Sequence, residues 1–188
     1  MERRRKKIGM QRGFTMIEAL ISIMILSFGV LSLAAVYAQG IYYASMTQYD
    51  YIAEKKAEQA VEAIFTARNN LTLNWVQIQN TTAGGVFLPG PQPMLQPGLD
   101  GLVGTAADAG SPDEIIIIGP NSGGQIGTTT DQSVDLNPWM TRTIDIVPVL
   151  TAGGAPEPNL RQITVTVYYK IGQMQRTHTL VSYISSFA

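Results

Sequence analysis

The sequence predicts an α+β protein: one long amino-terminal α-helix, membrane-spanning in its first half, packed on a carboxy-terminal antiparallel β-sheet of about four strands. Three observations predict this. A charge-free run extends from Ala19 to Gln48, an apolar stripe at three- and four-residue steps occupies residues 49–65, and β-branched or alternating segments are confined to residues 114–184. Helix first and strands last, without interleaving, is the order of an α+β chain rather than an α/β one. The 188 residues suit one domain of ordinary size with an added segment.

The chain opens on a basic cluster. Residues 1–13 carry Arg3, Arg4, Arg5, Lys6, Lys7 and Arg12 against the single acid Glu2, leaving residues 14–188 with a formal charge of −6. An acidic remainder argues against a nucleic-acid surface, which needs clustered Lys and Arg. After Glu18 the strictly apolar stretch runs to about Ala38, rich in Leu, Ile, Met and Ala and free of proline. About 20 such residues in a helix cross ~30 Å of hydrocarbon. Positive charge before the run keeps the amino terminus in the cytoplasm and sends the remainder across.

Glu18 is out of place at the head of such a helix, where a carboxylate costs roughly 2–4 kcal/mol toward the bilayer centre and needs a cation or a water boundary. A cut between Gly13 and Phe14 would create an α-amino group four residues before Glu18. That amine, with a reference pKa of about 8, would supply the cation, within one helix or from a neighbouring subunit.

The stretch Gly13-Phe14-Thr15-Met16-Ile17-Glu18-Ala19-Leu20-Ile21, after a basic leader and before an apolar helix, resembles the class III signal of type IV prepilins and type II secretion pseudopilins. The continuation Ile25-Leu26-Ser27-Phe28-Gly29-Val30-Leu31 is similar to minor pilins of the PilV kind. The resemblance covers residues 9–45 and implies a pilin-like fold. It implies that a prepilin peptidase/methylase cuts after Gly13 and that Phe14 becomes the N-methylated first residue. It also implies that Glu18 neutralises the amine of an adjacent subunit during assembly. Many major pilins carry a proline about two-thirds along this helix; here Ala35 and its neighbours stand instead, which leaves Gly29 as the place for the helix to loosen. Two other readings use the same residues. Val36-Tyr37-Ala38 offers a small-x-small cut of an ordinary secretory signal, but such an apolar region runs ~7–15 residues and tolerates no glutamate. A plain signal anchor on an unrelated protein is the other.

Beyond Gln39-Gly40 the helix becomes amphipathic. Tyr49, Ile52, Ala53, Ala57, Ala60, Val61, Ile64 and Phe65 form a stripe able to bury against a sheet, opposite Asp50, Glu54, Glu58 and Glu62. The acids form a solvated face, partly offset by Lys55 and Lys56, or a stripe that meets a basic surface on a neighbouring subunit. One helix is expected from Phe14 to Arg68, ended by Asn69-Asn70. The organisation follows: a cleaved cytoplasmic leader over 1–13, a transmembrane and filament-core helix over 14–40, its amphipathic half over 41–70, and a globular head over 71–188.

In the head, residues 71–78 suit a short helix or strand. Glycine and proline then supply twelve of the twenty-nine residues from Gly84 to Pro112, which predicts turns and extended segments over the loop 82–113. Glu114-Ile115-Ile116-Ile117-Ile118-Gly119 reads as a central strand. Residues 143–150 alternate, with Pro148 marking an edge or a bulge. Residues 162–170 place Ile163, Val165, Val167 and Tyr169 on one face, Ile171-Gly172 turns the chain, and 173–184 returns as the hairpin partner.

Composition excludes most catalysis. There is no cysteine and one histidine, His178, so thiol chemistry, disulfides and Cys- or His-rich metal sites are absent, and no phosphate-binding Gly-Lys-Ser/Thr loop occurs. His178, without a carboxylate nearby in sequence, reads as a surface residue. Asp100, Asp108, Asp113 and Glu114, with Asp131 and Asp135 further on, form a loose acidic group. Calcium takes six to eight oxygens from such loops, and some major pseudopilins bind calcium near their sheets, but the spacing fits no EF-hand. Trp75, Phe87 and Trp139 suit core or loop packing, or a ligand-facing loop. The chain therefore reads as a structural subunit and not an enzyme: a minor pilin, processed and then added to a type IV pilus or priming its assembly, with roles in adhesion and motility. The alternatives are a minor pseudopilin of a type II secretion system and a membrane-anchored binding or adhesion module. Its partners would be the peptidase, other pilins through the amino-terminal helix, and the inner-membrane assembly platform. It would sit in the inner membrane with its head periplasmic, then at the cell surface.

Overall fold

The computed structural model describes residues 13–117, 132–137 and 139–187. The basic leader to Arg12, the Ile118-Gly119 end of one expected strand, and Asp131 lie outside the described residues. Two compact units divide at Ser45/Met46.

The first unit is helical. Helix α1, Met16–Asn69, begins in it and passes through Gly29 and Gly40 without interruption. Helix formers dominate and proline is absent, so intrinsic preference and pattern agree. Its apolar side chains from Met16 to Tyr43 are exposed, and its most apolar window has a mean hydropathy of 2.5 with nothing buried. A helix apolar all round needs lipid or other helices about it.

The second unit contains the rest of α1, and here one face is covered. Ala53, Ala57, Ala60, Val61, Ile64 and Ala67 are buried, with Tyr49, Ile52 and Phe65 packed partly against them. Alanines make up much of this buried face. The helix stops where expected: the Thr72 N–H donates to the Ala67 carbonyl at 2.9 Å and the Leu71 N–H to that of Arg68 at 3.0 Å, a Schellman closure with Leu71 left-handed at φ 57°.

Four strands form the sheet beneath it, in the order β1 (Gln92–Pro93), β4 (Met140–Leu150), β5 (Pro156–Ile171), β6 (Met174–Ser185), all antiparallel. Ile163, Val165, Val167 and Tyr169 of β5 face the helix, buried as their alternation predicts. The β4–β5 ladder shifts register between Pro148 and Leu150, the bulge that Pro148 signalled, since proline cannot supply a ladder N–H.

Three expectations are corrected. The strand expected to be central, β2 (Glu114–Ile117), pairs instead with β3 (Gln132–Asp135) in a separate two-stranded sheet. An apolar β-branched run announces a strand but does not choose its neighbour, and the central places belong to β4 and β5, whose long ladder is mutually in phase. The fourth strand of the main sheet comes from the Gly/Pro loop: Gln92–Pro93 pairs with Arg142 and Thr141, at an edge where Pro93 is tolerated. The hairpin turn is Gly172-Gln173 rather than Ile171-Gly172, because Ile171 is still paired with Met174 and buried. Gly172, at φ 60°, takes the first central position, where a type II′ turn needs positive φ.

The loop itself is closely pinned. Two 3₁₀ turns, Trp75–Gln77 and Thr81–Ala83, open it. The buried Asn80 amide donates to the Ile144 carbonyl at 2.7 Å and accepts from the Ile146 N–H at 2.8 Å, which closes the outer edge of β4 beyond β1. Phe87, Met94 and Leu102 are buried within it.

Candidate functional site

The residues around the expected cut lie at the start of α1. Gly13 and Phe14 precede the helix, and Phe14 is 75% exposed. Nothing lies within 4 Å of a side-chain carbon placed on Gly13. Thr15 caps the helix: its carbonyl accepts the Glu18 N–H at 3.1 Å, and its hydroxyl oxygen lies 3.4 Å from the same nitrogen. Thr15-x-x-Glu18 is thus the pattern of an N-terminal cap followed by an acid in the first turn, where the helix dipole favours negative charge. That signal was readable in the sequence beside the cleavage motif and gives Glu18 a second, local reason for its position. Glu18 is exposed and has no cation partner among the described residues.

Serines follow at five-residue steps. Ser22, Ser27 and Ser32 donate from Oγ to the carbonyls of Glu18, Ile23 and Phe28 at 2.8, 2.7 and 2.8 Å. These bonds satisfy the hydroxyls inside the helix, where lipid offers no partner. Gly29 stands between the last two. Tyr37, Tyr42 and Tyr43 then supply an aromatic group at and past the end of the apolar run, the residue type enriched at membrane–water boundaries.

The acidic group of the loop does not assemble. Asp108 accepts from the backbone N–H of Gly104 and Thr105 at 2.8 and 2.9 Å, and Asp100 accepts from the Leu102 N–H and the Thr105 hydroxyl, both at 3.1 Å. Asp113 is buried against Lys56 at 2.7 Å, while Glu114 is exposed at the start of β2. Among the described residues no group of three or more His, Cys, Asp or Glu could hold a metal ion. The acidic stripe of α1 is divided likewise. Asp50 accepts from the Tyr169 hydroxyl at 2.6 Å and from Arg176 Nη1 at 2.9 and 2.7 Å, Glu58 pairs with Lys55, and Glu54 and Glu62 stay exposed. His178 is half-buried on β6, opposite Val167.

The aromatic residues separate by role. Phe87 is core and Trp139 is exposed. Trp75 donates from its indole to the Pro158 carbonyl at 2.9 Å and lies under the Arg161 guanidinium, 4.3 Å from the ring centroid. Arg161 also donates to the carbonyls of Trp75 and Ile78, and partial burial lowers its pKa. Sequence reasoning passed over Arg142, which is 1% exposed beneath the loop, with Nε and one Nη lacking a partner among the described residues. Burial lowers its pKa, against the fields of Asp108 and Asp113. A basic residue inside an alternating strand is the signal that could have flagged it. The Tyr169 hydroxyl is pushed up to about 12, first by burial and then by its bond to Asp50.

Residues 8–34 match the family described as the prokaryotic N-terminal methylation motif, which spans the expected cut, Glu18 and Gly29. No curated protein and no solved structure matches the chain. The matched motif is typical of type IV pilins and pseudopilins; it implies processing by a prepilin peptidase and points to a structural subunit rather than an enzyme. Among the described residues one helix, at the amino terminus, is long and apolar enough to cross a membrane, and joined to that motif it is consistent with anchoring in the inner membrane. The long helix packed on a four-stranded antiparallel sheet is a pilin-like arrangement.

Proposed function

We propose that the chain is a minor pilin of the PilV kind, held in the inner membrane until its leader is removed and then added to a type IV pilus or used to prime one. In this reading the peptidase cuts between Gly13 and Phe14, Phe14 is N-methylated, and the freed amine is met by Glu18 of a neighbouring subunit. The apolar half of α1 moves from lipid into a bundle of like helices, exchanging one apolar surrounding for another at little cost. The amine–carboxylate pair then selects the stagger, because only one register neutralises both charges. Gly29 is the point at which the helix can loosen as it is drawn into the bundle.

The observation that carries the reading is Glu18 itself. It is an exposed acid without a cation among the described residues, one turn into an apolar helix and four residues past the cut that would make the amine. The test is the amino-terminal residue of the mature protein, read by mass spectrometry. Methylated Phe14 is expected. Material beginning at Met1 or at Gln39 would overturn the proposal, the second in favour of an ordinary secretory signal.

A further inference from the structure

We propose that Thr15 is a positioning residue for removal of the leader: by capping α1 it keeps the helix off the Gly13–Phe14 bond, so that the peptidase meets that bond in open chain. The inference rests on the processing reading above. Cleavage adds water at the Gly13 carbonyl carbon and breaks the bond from that carbon to the Phe14 nitrogen. Gly13 leaves as a carboxylate, and both protons of the water end on the Phe14 amine. The attack needs a carbonyl that is not already engaged. Inside a helix each carbonyl accepts the N–H four residues on and lies against the next turn.

One more turn at the amino end of α1 would hand the Gly13 carbonyl to the Ile17 N–H, one of the donors that a helix start leaves open. Little else in the sequence opposes that turn. The first proline of the chain is Pro89, and α1 runs through Gly29 and Gly40 uninterrupted, so Gly13 alone is a weak stop. Packing does not set the boundary either. Phe14 is 75% exposed, and nothing lies within 4 Å of a side-chain carbon placed on Gly13. Yet the helix begins at Met16, with Gly13, Phe14 and Thr15 outside it. The Thr15 carbonyl accepts the Glu18 and Ala19 N–H groups at 3.1 and 3.2 Å, and Thr15 Oγ1 lies 3.4 Å from the Glu18 nitrogen. An oxygen facing the N–H three residues on is the arrangement of an N-cap, whose own backbone is non-helical. The helix therefore stops at Thr15, and Phe14 alone separates the cap from the carbonyl to be attacked.

The test follows leader removal from the full-length chain in membranes that contain the peptidase, by pulse-chase, with the new amino terminus read by mass spectrometry. Only precursor recovered in the membrane fraction is counted, so that insertion does not enter the rate. Thr15→Val keeps the side-chain shape and removes the cap, and it should slow cleavage several-fold with the cut still after Gly13. Thr15→Ser and Thr15→Asn, caps of different shape, should process within about twofold of the parent chain. Cleavage of the valine variant at the parental rate would overturn the proposal. So would slow cleavage of the serine and asparagine variants, because the peptidase would then be reading the threonine itself. A parent chain left uncut would remove the processing reading and this inference together, whereas a cut parent beside an equally fast valine variant removes the inference alone.

Discussion

Lys56 of α1 and Asp113, the residue before β2, form an ion pair at 2.7 Å with side-chain exposures of only 15% and 11%. The aspartate also accepts the Glu114 N–H at 2.9 Å, while its backbone bonds Met94 and Leu136. One side chain thus ties the helix to the loop and to the small sheet. Replacing Asp113 by alanine strands the largely buried Lys56 ammonium and removes a carboxylate whose field also acts on the buried Arg142. Breaking such a pair costs about 3–5 kcal/mol, whereas Glu54→Ala, on the exposed face, should cost under about 0.5 kcal/mol. Denaturant unfolding followed by Trp75 and Trp139 fluorescence checks both; equal midpoints would remove the tie from the account.

Tyr169 predicts an alkaline dependence. Its folded pKa, about 12, lies above the ordinary 10.0, so the stabilisation is complete below pH 10 and is lost as pH rises through the folded value. Tyr169→Phe should abolish that part of the alkaline fall in stability and delete a tyrosinate step near pH 12 in an absorbance titration. A titration unchanged by the substitution would contradict the assignment.

Glycines in the loop differ by what surrounds them. A side-chain carbon on Gly85 would overlap the backbone carbonyl of Gln79, while one on Gly110 meets nothing within 4 Å. Gly85→Ala should therefore destabilise by about 1–3 kcal/mol and Gly110→Ala hardly at all, read from thermal midpoints measured side by side.

Leu71→Gly should stabilise the fold, by about 1 kcal/mol or somewhat less, because glycine enters the left-handed region without strain. The gain shows as a higher unfolding midpoint. Failure to gain would mean that Leu71 packs better than its exposure suggests.

Glu18→Ala should leave cleavage and methylation intact and reduce incorporation into filaments, measured as the sheared surface fraction against the membrane fraction. Normal incorporation would sink the proposed charge pairing while leaving the processing site untouched.

Much of the architecture was legible because it rests on local periodicity. The Ala53–Ala57–Ala60–Ile64 stripe and the Ile163–Val165–Val167–Tyr169 alternation each announce a buried face from spacing alone, and the helix end at Asn69 follows from its terminal residues. The processing motif was equally plain, being contiguous from Gly13 to Glu18. Pairings between distant segments left no such trace. Nothing near Gln92 or Pro93 marks them as the neighbours of Arg142 and Thr141, and nothing near Glu114 assigns its run to a separate sheet.

By itself the sequence determined the long apolar amino-terminal helix, the methylation motif at its head and the faces that must be buried, since each depends on residue type and periodicity within a few turns of chain. Only the tertiary structure decided which strands are neighbours, which acids are spent on Lys56, Tyr169 and Arg176, and that Arg142 lies buried under the loop. Those outcomes turn on contacts between residues tens of positions apart, where the free energy of burying a charge or closing an edge is set by what the fold brings alongside.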